Sequence, residues 1–306
     1  MRKACLNTVY ELAKDNDKVV FIGSDLGAGT LNEFKQEMPE RFFMEGISEQ
    51  HVIGMSAGIA MEGFIPYVNT IATFLTRRCL EQVIVDLCLH NLSVRLIGNG
   101  GGLVYAPLGP THVAIEDIAL MRAIPNMTIL VPTDADEMQR LVKQTIDWQG
   151  PVYIRVAKGY DPIISNDGVE CKIGKAIMMK PLGNVLIIAT GVMVHRSLSA
   201  AKILESNGLS CGVMNIHTIK PLDEKAILQA ASQVDAIVTV EEHTKMGGLG
   251  SAVIECLMDN MDNPPKVKRL SLPDQFTDDY GSQDSLLDSF ALQPDTIAST
   301  IQEWWS

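Results

Sequence analysis

Short runs of consecutive apolar residues recur along this 306-residue chain, and they constrain its fold more than any other feature. Residues 19–23 and 185–191 are the clearest examples. A strand without polar residues on either face must be covered on both faces, as the strands of parallel sheets are. Segments with apolar residues at helical spacing, such as 3–14 and 195–206, lie between such runs. The pattern predicts two consecutive α/β domains with mostly parallel central sheets.

Domain limits follow from the composition of the segment between the two halves. Residues 161–183 contain Pro162, the turn sequence Asn166-Asp167-Gly168 and Pro181, and they interrupt the alternation of strands and helices. We therefore predict a first domain over 1–160, a linker over 161–183 and a second domain over 184–306.

Composition excludes several classes of protein. A net charge of −12 argues against a surface for nucleic acids or anionic membranes. The six cysteines are scattered, with neither a C-x-x-C pair nor zinc-finger spacing, so we expect reduced thiols in a cytoplasmic protein. No apolar run reaches the 18 residues that a membrane span needs, and no signal peptide is recognised at the first residues.

One acid in the first domain has an unusual setting. Glu49 lies between an aromatic run, 42–43, and a segment rich in small residues, 54–60. The pattern predicts a strand that leads into a tightly packed helix, with Glu49 buried at the N-terminus of that helix. Burial disfavours the charged form of a carboxyl group, so such an acid can hold a proton at neutral pH. The alternative is an ordinary first-turn glutamate, stabilised by the helix dipole.

Several loops carry residue types that suit ligand binding, and each also has a structural explanation. Residues 24–29 follow a predicted strand and form either a site or a plain turn. Residues 98–102 are rich in glycine, so they form either a loop whose backbone approaches a ligand closely or simply a mobile loop. They lack the residue spacing of dinucleotide-binding and Walker motifs. Phe74 begins a helix and is either core or ligand-stacking, and His112 precedes another helix.

Four of these motifs occur in an order that resembles a known family. They are Gly-Ile-Ser-Glu-Gln-His at 46–51, Gly-Met-Ser-Ala-Gly-Ile-Ala at 54–60, Thr-Phe-Leu at 73–75 and Gly-Pro-Thr-His at 109–112. Together they resemble the pyrimidine-binding domain of the transketolase family, whose relatives include the 1-deoxyxylulose-5-phosphate synthases. The likeness extends to the transketolase C-terminal domain, where Glu-Glu-His at 241–243 precedes Gly-Gly-Leu-Gly at 247–250.

The resemblance implies a thiamine diphosphate cofactor and roles for individual residues. Glu49 is implied to hydrogen-bond N1′ of the aminopyrimidine, and His112 to lie near its 4′-amino group and the substrate hydroxyl. The remaining implied contacts concern cofactor and substrate. The cofactor contacts are Asp25, Leu26, Ile71, Phe74 and Arg77, with the aminopyrimidine between Phe74 and Ile71. The substrate contacts are Lys158, Gly100 and His112, with Lys158 as a phosphate-gripping residue or a solvated lysine.

The family's diphosphate site is missing from the sequence. Members hold the diphosphate through a divalent metal with a Gly-Asp-Gly motif, and this chain contains none. The resemblance therefore implies a split enzyme in which a second transketolase subunit supplies the diphosphate and Mg²⁺ ligands. We expect a homodimeric core within an α2β2 heterotetramer, and we assign no metal ligand to this chain.

The substrate remains open at this stage. Transketolases carry an acidic Glu-Asp pair before Gly-Pro-Thr-His, whereas this chain has Pro107 and Leu108. We expect transfer of a two-carbon ketol unit from a ketose to an aldose, with a modified donor or one with fewer hydroxyls. The alternatives are a pyruvate-using synthase, a 2-oxo acid dehydrogenase E1 β-type subunit, and a non-catalytic scaffold subunit.

Overall fold

The computed structural model describes residues 1–24, 30–157, 159, 161–165 and 168–306. Within these residues the chain forms the following strands in order: β1 (Val19–Gly23), β2 (Phe42–Met44), β3 (Ile65–Ile71), β4 (Arg95–Asn99), β5 (Thr128–Leu130), β6 (Val152–Val156), β7 (Ile177–Lys180), β8 (Val185–Ala189), β9 (Cys211–Asn215), β10 (Thr218–Lys220), β11 (Ala236–Thr244) and β12 (Lys266–Leu272). The α-helices are α1 (Arg2–Asp15), α2 (Asn32–Glu37), α3 (Glu49–Met61), α4 (Leu80–Gln82), α5 (Asp117–Arg122), α6 (Ala135–Gln144), α7 (Met193–Ser206), α8 (Glu224–Ala231), α9 (Leu249–Asn260), α10 (Gln283–Ser289) and α11 (Pro294–Trp305). Two π-helical segments, Phe74–Arg78 and Val83–Cys88, flank α4.

The strands form two sheets, and most of their pairings are parallel. The first has seven strands in the order β10-β5-β6-β4-β3-β1-β2, and the second has five in the order β12-β11-β8-β9-β7. Only β10 with β5 and β7 with β9 pair antiparallel among the strands described. The predicted fold class, two α/β domains with mostly parallel sheets, is confirmed.

The apolar runs form the centres of both sheets for the reason anticipated. Every residue of β1, β4, β6 and β8 is buried. Alternate residues of a strand point to opposite faces, so Phe21 and Ile187 join one apolar cluster while Ile22 and Ile188 join the other. Each cluster includes residues of both sheets, and the two sheets therefore share their cores.

One strand of the second half joins the first sheet. Strand β10 follows β9 of the second sheet, but it pairs with β5 at the edge of the first, which ties the halves together through backbone hydrogen bonds. Strand β7 lies within residues 161–183, the segment predicted as a linker, and it pairs with β9 at the edge of the second sheet.

The helices described are short in comparison with a bilayer. Across the described ranges, no helix combines the length and the apolar composition that crossing a membrane requires.

Candidate active site

Glu49 is the first residue of α3, at the turn that follows β2. Gly46 adopts a left-handed backbone conformation there (φ +64°). The hydroxyl of Ser48, the residue before the helix, donates to the carbonyl oxygen of Glu45 at 2.6 Å. The Glu49 side chain is 2% exposed. Both the helix N-terminus and the burial predicted for this acid are confirmed, which places a carboxylate at the carboxyl ends of parallel strands, where α/β sheets bind ligands.

Three of the described side chains surround the Glu49 carboxylate. Ser24, directly after β1, and Thr70, in β3, donate to Oε1 at 3.3 and 3.5 Å. Arg78 donates to Oε2 at 2.5 Å and forms an ion pair. Parallel pairing of β1 with β3 places Ser24 beside Thr70, so the sheet itself fixes Oε1. Arg78 was not among the residues predicted from the sequence; the available signal was a cation four residues after Phe74.

Phe74 and His112 come together although 37 positions separate them. Their ring centroids lie 5.3 Å apart, and the rings meet edge to face at 65°. The guanidinium carbon of Arg78 lies over the Phe74 ring, 4.2 Å from its centroid. The structure therefore unites the three residues that sequence motifs suggested, Glu49, Phe74 and His112, with Arg78 between the acid and the aromatic ring.

Arg77 makes a different set of contacts from its neighbour Arg78. Its guanidinium forms a two-point ion pair with Glu116. It also donates to the carbonyl oxygens of Pro110 at 3.1 Å and Val113 at 2.8 Å. These partners bracket His112, so Arg77 fixes the loop that presents the imidazole. A direct cofactor contact by Arg77 stays a prediction.

Two further predicted residues lie near the same sheet edge. Ile71 is the last residue of β3 and is half-buried. Gly100 follows β4, has φ +77°, and donates its N–H to the carbonyl oxygen of Val156 at 2.9 Å. A Cβ at Gly100 would lie 2.1 Å from the Tyr105 ring, so this glycine allows the loop to fold over its strand. Asp25, Leu26 and Lys158 lie outside the described residues.

A buried ion pair between Arg155 and Asp117 lies beside the loop that precedes α5. Arg155, in β6, donates to both carboxylate oxygens of Asp117, at 2.8 and 3.1 Å. Its Nη2 also donates to the carbonyl oxygens of Ala114 and Glu242 at 3.0 and 2.9 Å. Burial by itself would lower the pKa of Arg155, but the negative charge of Asp117 raises that pKa above its ordinary value. The network joins the loop before α5 to β11 of the second sheet, and sequence reasoning missed it because its members are far apart in the chain.

His243 belongs to this junction and is fully buried. Its Nε2 accepts from the N–H of Ala119 at 3.2 Å, and Nδ1 lies 2.7 Å from the carbonyl oxygen of Thr244. Those contacts assign the proton to Nδ1. Burial lowers the pKa of His243 to about 4. A neutral histidine held by backbone groups indicates a structural role for His243.

Comparisons with known proteins match both halves of the chain. Residues 1–160 match the model of the transketolase pyrimidine-binding domain, and residues 174–297 match that of the transketolase C-terminal domain. The predicted relation to the synthases is confirmed by 1-deoxy-D-xylulose-5-phosphate synthase 1 of Geobacter sulfurreducens. It is 38% identical over 299 residues, 97% of this chain and 46% of the synthase.

Other relatives match from end to end. The 6-deoxy-6-sulfo-D-fructose transketolase subunit SqwH of Clostridium sp. (strain MSTE9) is 35% identical, with 99% of this chain and 94% of that subunit covered. An apulose-4-phosphate transketolase subunit of Phocaeicola vulgatus is 36% identical, with 99% and 96% covered. A solved structure described as a split gene transketolase, inactive β4 tetramer, is 34% identical and superposes with a TM-score of 0.91, with 99% and 97% covered. The chain therefore belongs to the transketolase family of thiamine-diphosphate-dependent transferases, among its split subunits.

Proposed function

We propose that this chain is the pyrimidine-binding subunit of a split transketolase that transfers a two-carbon ketol unit from a ketose to an aldose. The observation that carries the proposal is the convergence of the buried Glu49 carboxylate with the half-buried rings of Phe74 and His112 at one sheet edge. The chain holds both matched domains yet has no Gly-Asp-Gly motif. We infer that a second subunit provides the Mg²⁺ and diphosphate site.

The residues present fit the aminopyrimidine of thiamine diphosphate. The Arg78 guanidinium is a planar group that lies on the Phe74 ring and donates an N–H to Glu49. Its position indicates that the site accepts a flat hydrogen-bond donor between these two side chains. A protonated aminopyrimidine is also flat and also donates an N–H, so the ring would take the place of the guanidinium. Arg78 must then move aside when the cofactor binds.

The chain's own residues would then position and move protons. Thiamine diphosphate, when bound, supplies the carbon nucleophile for cleavage of the ketose. Glu49 would hold the proton at N1′, fixed in place by Ser24 and Thr70. His112, whose loop is anchored by Arg77, would donate hydrogen bonds to substrate oxygens. Asp25 and Leu26 are proposed to complete the cofactor site, and Lys158 and Gly100 the substrate site.

We also propose an α2β2 assembly with a homodimeric core of this chain. The relatives support it, since two of them are named as transketolase subunits and the solved structure is described as a tetramer of β chains. All six cysteines are free thiols, which supports a reducing, cytoplasmic location.

The donor is proposed to be a modified sugar or one with fewer hydroxyls. Leu108, which takes the place of an acidic residue in transketolases, is 51% exposed beside the His112 loop. An apolar side chain there cannot accept hydrogen bonds from donor hydroxyls. The names of two relatives support the proposal, because one specifies 6-deoxy-6-sulfo-D-fructose and the other apulose 4-phosphate.

The test combines calorimetry with a donor screen. Thiamine diphosphate and Mg²⁺ are titrated into this chain alone and into its mixture with a candidate partner subunit; tight binding only in the mixture supports the proposal. The mixture is then assayed with xylulose 5-phosphate, 6-deoxy-6-sulfofructose, apulose 4-phosphate and pyruvate. Release of CO2 from pyruvate would favour the synthase or dehydrogenase alternative. Tight, metal-dependent binding by the lone chain would contradict the split site, and a mixture that binds the cofactor without turning over any donor would favour a scaffold subunit.

Replacing the acid gives the sharpest single-residue test. We expect Glu49→Gln to lower kcat by about 10²–10⁴-fold, because the amide cannot exchange a proton with N1′. Glu62→Gln, at the exposed end of the same helix, is the matched control and should leave kcat unchanged. Near-normal turnover by Glu49→Gln would refute the role of this residue.

A further inference from the structure

We propose that Glu137, Cys171 and His217 form a binding site for a divalent transition metal, with Zn²⁺ as the best-matched ion. One ligand atom from each side chain lies within 4.8 Å of the others. These residues share no member with the candidate active site. Their separation in the chain explains why no zinc spacing is visible in the sequence.

The sulfur–nitrogen distance suits tetrahedral coordination. The Cys171 Sγ and the His217 Nε2 lie 3.9 Å apart. In a tetrahedral zinc site, with Zn–S near 2.3 Å and Zn–N near 2.0 Å, sulfur and nitrogen lie about 3.6 Å apart. An adjustment of a few tenths of an ångström would bring both atoms into coordination. Thiolate, imidazole and carboxylate are all zinc ligands.

Neighbouring groups already orient two of the three ligands. The His217 Nδ1 lies 2.9 Å from the Thr218 hydroxyl oxygen, which leaves Nε2 directed at Cys171. The Glu137 carboxylate accepts from the Thr133 N–H at 2.7 Å and from Asn215 Nδ2 at 2.8 Å. Metal-binding histidines and carboxylates in proteins are held in this way by outer hydrogen bonds.

The cluster borders a cavity at one of its ligands. A cavity of about 210 Å³ is lined by Glu137 and Arg140, and Cys171 is half-buried. Three protein ligands leave the fourth position of a tetrahedral zinc site for a water molecule. The metal would join α6, the segment before β7, and the β9–β10 turn.

Metal analysis of the purified full chain tests the site. We expect about one Zn²⁺ per chain after dialysis has removed unbound metal. Cys171→Ser and His217→Gln should each bind Zn²⁺ at least about tenfold more weakly. Cys256→Ser and His195→Gln, which change the same residue types elsewhere, should retain wild-type affinity. Substoichiometric zinc in the wild type, or equal affinity in all four variants, would overturn the proposal.

Cobalt substitution keeps the test independent of how well the variants fold. Co²⁺ added to the metal-free wild-type chain should produce a thiolate-to-cobalt charge-transfer band in the near ultraviolet, together with the visible bands of tetrahedral cobalt. Zn²⁺ should displace both. A wild-type spectrum without the thiolate band would show that Cys171 is not a ligand and would overturn the site.

Discussion

Arg78 occupies the space between the acid and the aromatic ring of the candidate site. Its charge offsets the burial of Glu49, and its flat guanidinium covers the Phe74 face. A cation over an aromatic ring contributes about 0.5–1 kcal/mol where it is partly exposed. The ligand-free chain therefore gains stability from a contact that the bound cofactor would replace.

Removal of this side chain should separate stability from cofactor affinity. We expect Arg78→Ala to lower the free energy of unfolding of the lone chain by about 1–3 kcal/mol, because Glu49 loses its charged donor. Once assembled with the partner, the variant should bind thiamine diphosphate more tightly than wild type, since no guanidinium needs to leave. Denaturation and calorimetry measure the two quantities.

Arg78→Lys is the graded control, because it keeps a cation near Glu49 but no flat group on Phe74. It should be more stable than Arg78→Ala. Weaker cofactor binding by Arg78→Ala would show that the arginine helps to hold the cofactor and is not displaced by it.

At the scale of elements, the loop after β4 depends on backbone conformation. Gly100 combines a left-handed φ of +77° with a Tyr105 ring that leaves no space for a Cβ. Gly63, just beyond α3, also has a left-handed φ, +88°, but nothing lies within 4 Å of its Cβ position. Comparison of Gly63 with Gly100 therefore separates the cost of backbone strain from the cost of a steric clash at Cβ.

Alanine at each glycine should therefore cost different amounts. We expect Gly63→Ala to lower the free energy of unfolding by about 1 kcal/mol, from backbone strain alone. Gly100→Ala should cost about 1–3 kcal/mol more, because the Tyr105 ring must also move. Urea denaturation of both variants is the measurement, and equal losses would mean that the loop relaxes freely around Tyr105.

Across the whole molecule, the contact between the two halves is polar as well as apolar. The Arg155–Asp117 pair, the carboxylate of Glu242 and buried His243 all lie at this junction, and Leu103 donates its N–H to Glu242 Oε1 at 2.8 Å. Removal of one member of a buried pair is costly, because its partner stays uncompensated. Through Arg155 the network contacts both the carbonyl oxygen of Ala114, close to His112, and that of Glu242 in β11. The geometry of the candidate site therefore depends on both halves.

His243 should make stability depend on pH at this junction. Burial lowers its pKa from 6.5 to about 4, so the unfolded chain binds a proton that the folded chain refuses between these values. Its contribution to the free energy of unfolding thus falls as pH drops from 6.5 towards 4, by up to about 1.4 kcal/mol per pH unit. Glu241, whose pKa burial raises to about 7, has the opposite slope between 4.5 and 7.

Comparison with a variant that lacks the His243 imidazole should reveal this pH dependence of the free energy of unfolding. In His243→Gln the amide can still accept from the Ala119 N–H, but it does not titrate. We expect the stability difference between wild type and variant to shrink as pH falls from 6.5 towards 4. Denaturation at several pH values in that window measures it, and a constant difference would contradict the assigned titration.

The sequence by itself determined most of the strands and helices, and it indicated candidate site residues whose roles stay predictions. Strands such as β1 and β8 were predictable because burial on both faces requires an uninterrupted apolar run, which is a local property. Glu49, Phe74 and His112 were predictable because each lies in a short motif at a strand–helix junction. The pairing of β10 with the first sheet was not predictable, because a strand of three residues carries too little pattern to indicate which of two sheets it joins.

Tertiary structure decided which side chains meet. Arg77 and Arg78 are identical neighbours, yet one anchors the His112 loop and the other pairs with Glu49. Helix geometry directs consecutive side chains to different sides, and the π-helical segment at 74–78 sets those directions. Glu137, Cys171 and His217 likewise meet only after two sheets and a connecting segment have packed. Contacts of this kind depend on long-range register and packing, and a linear pattern does not encode them locally.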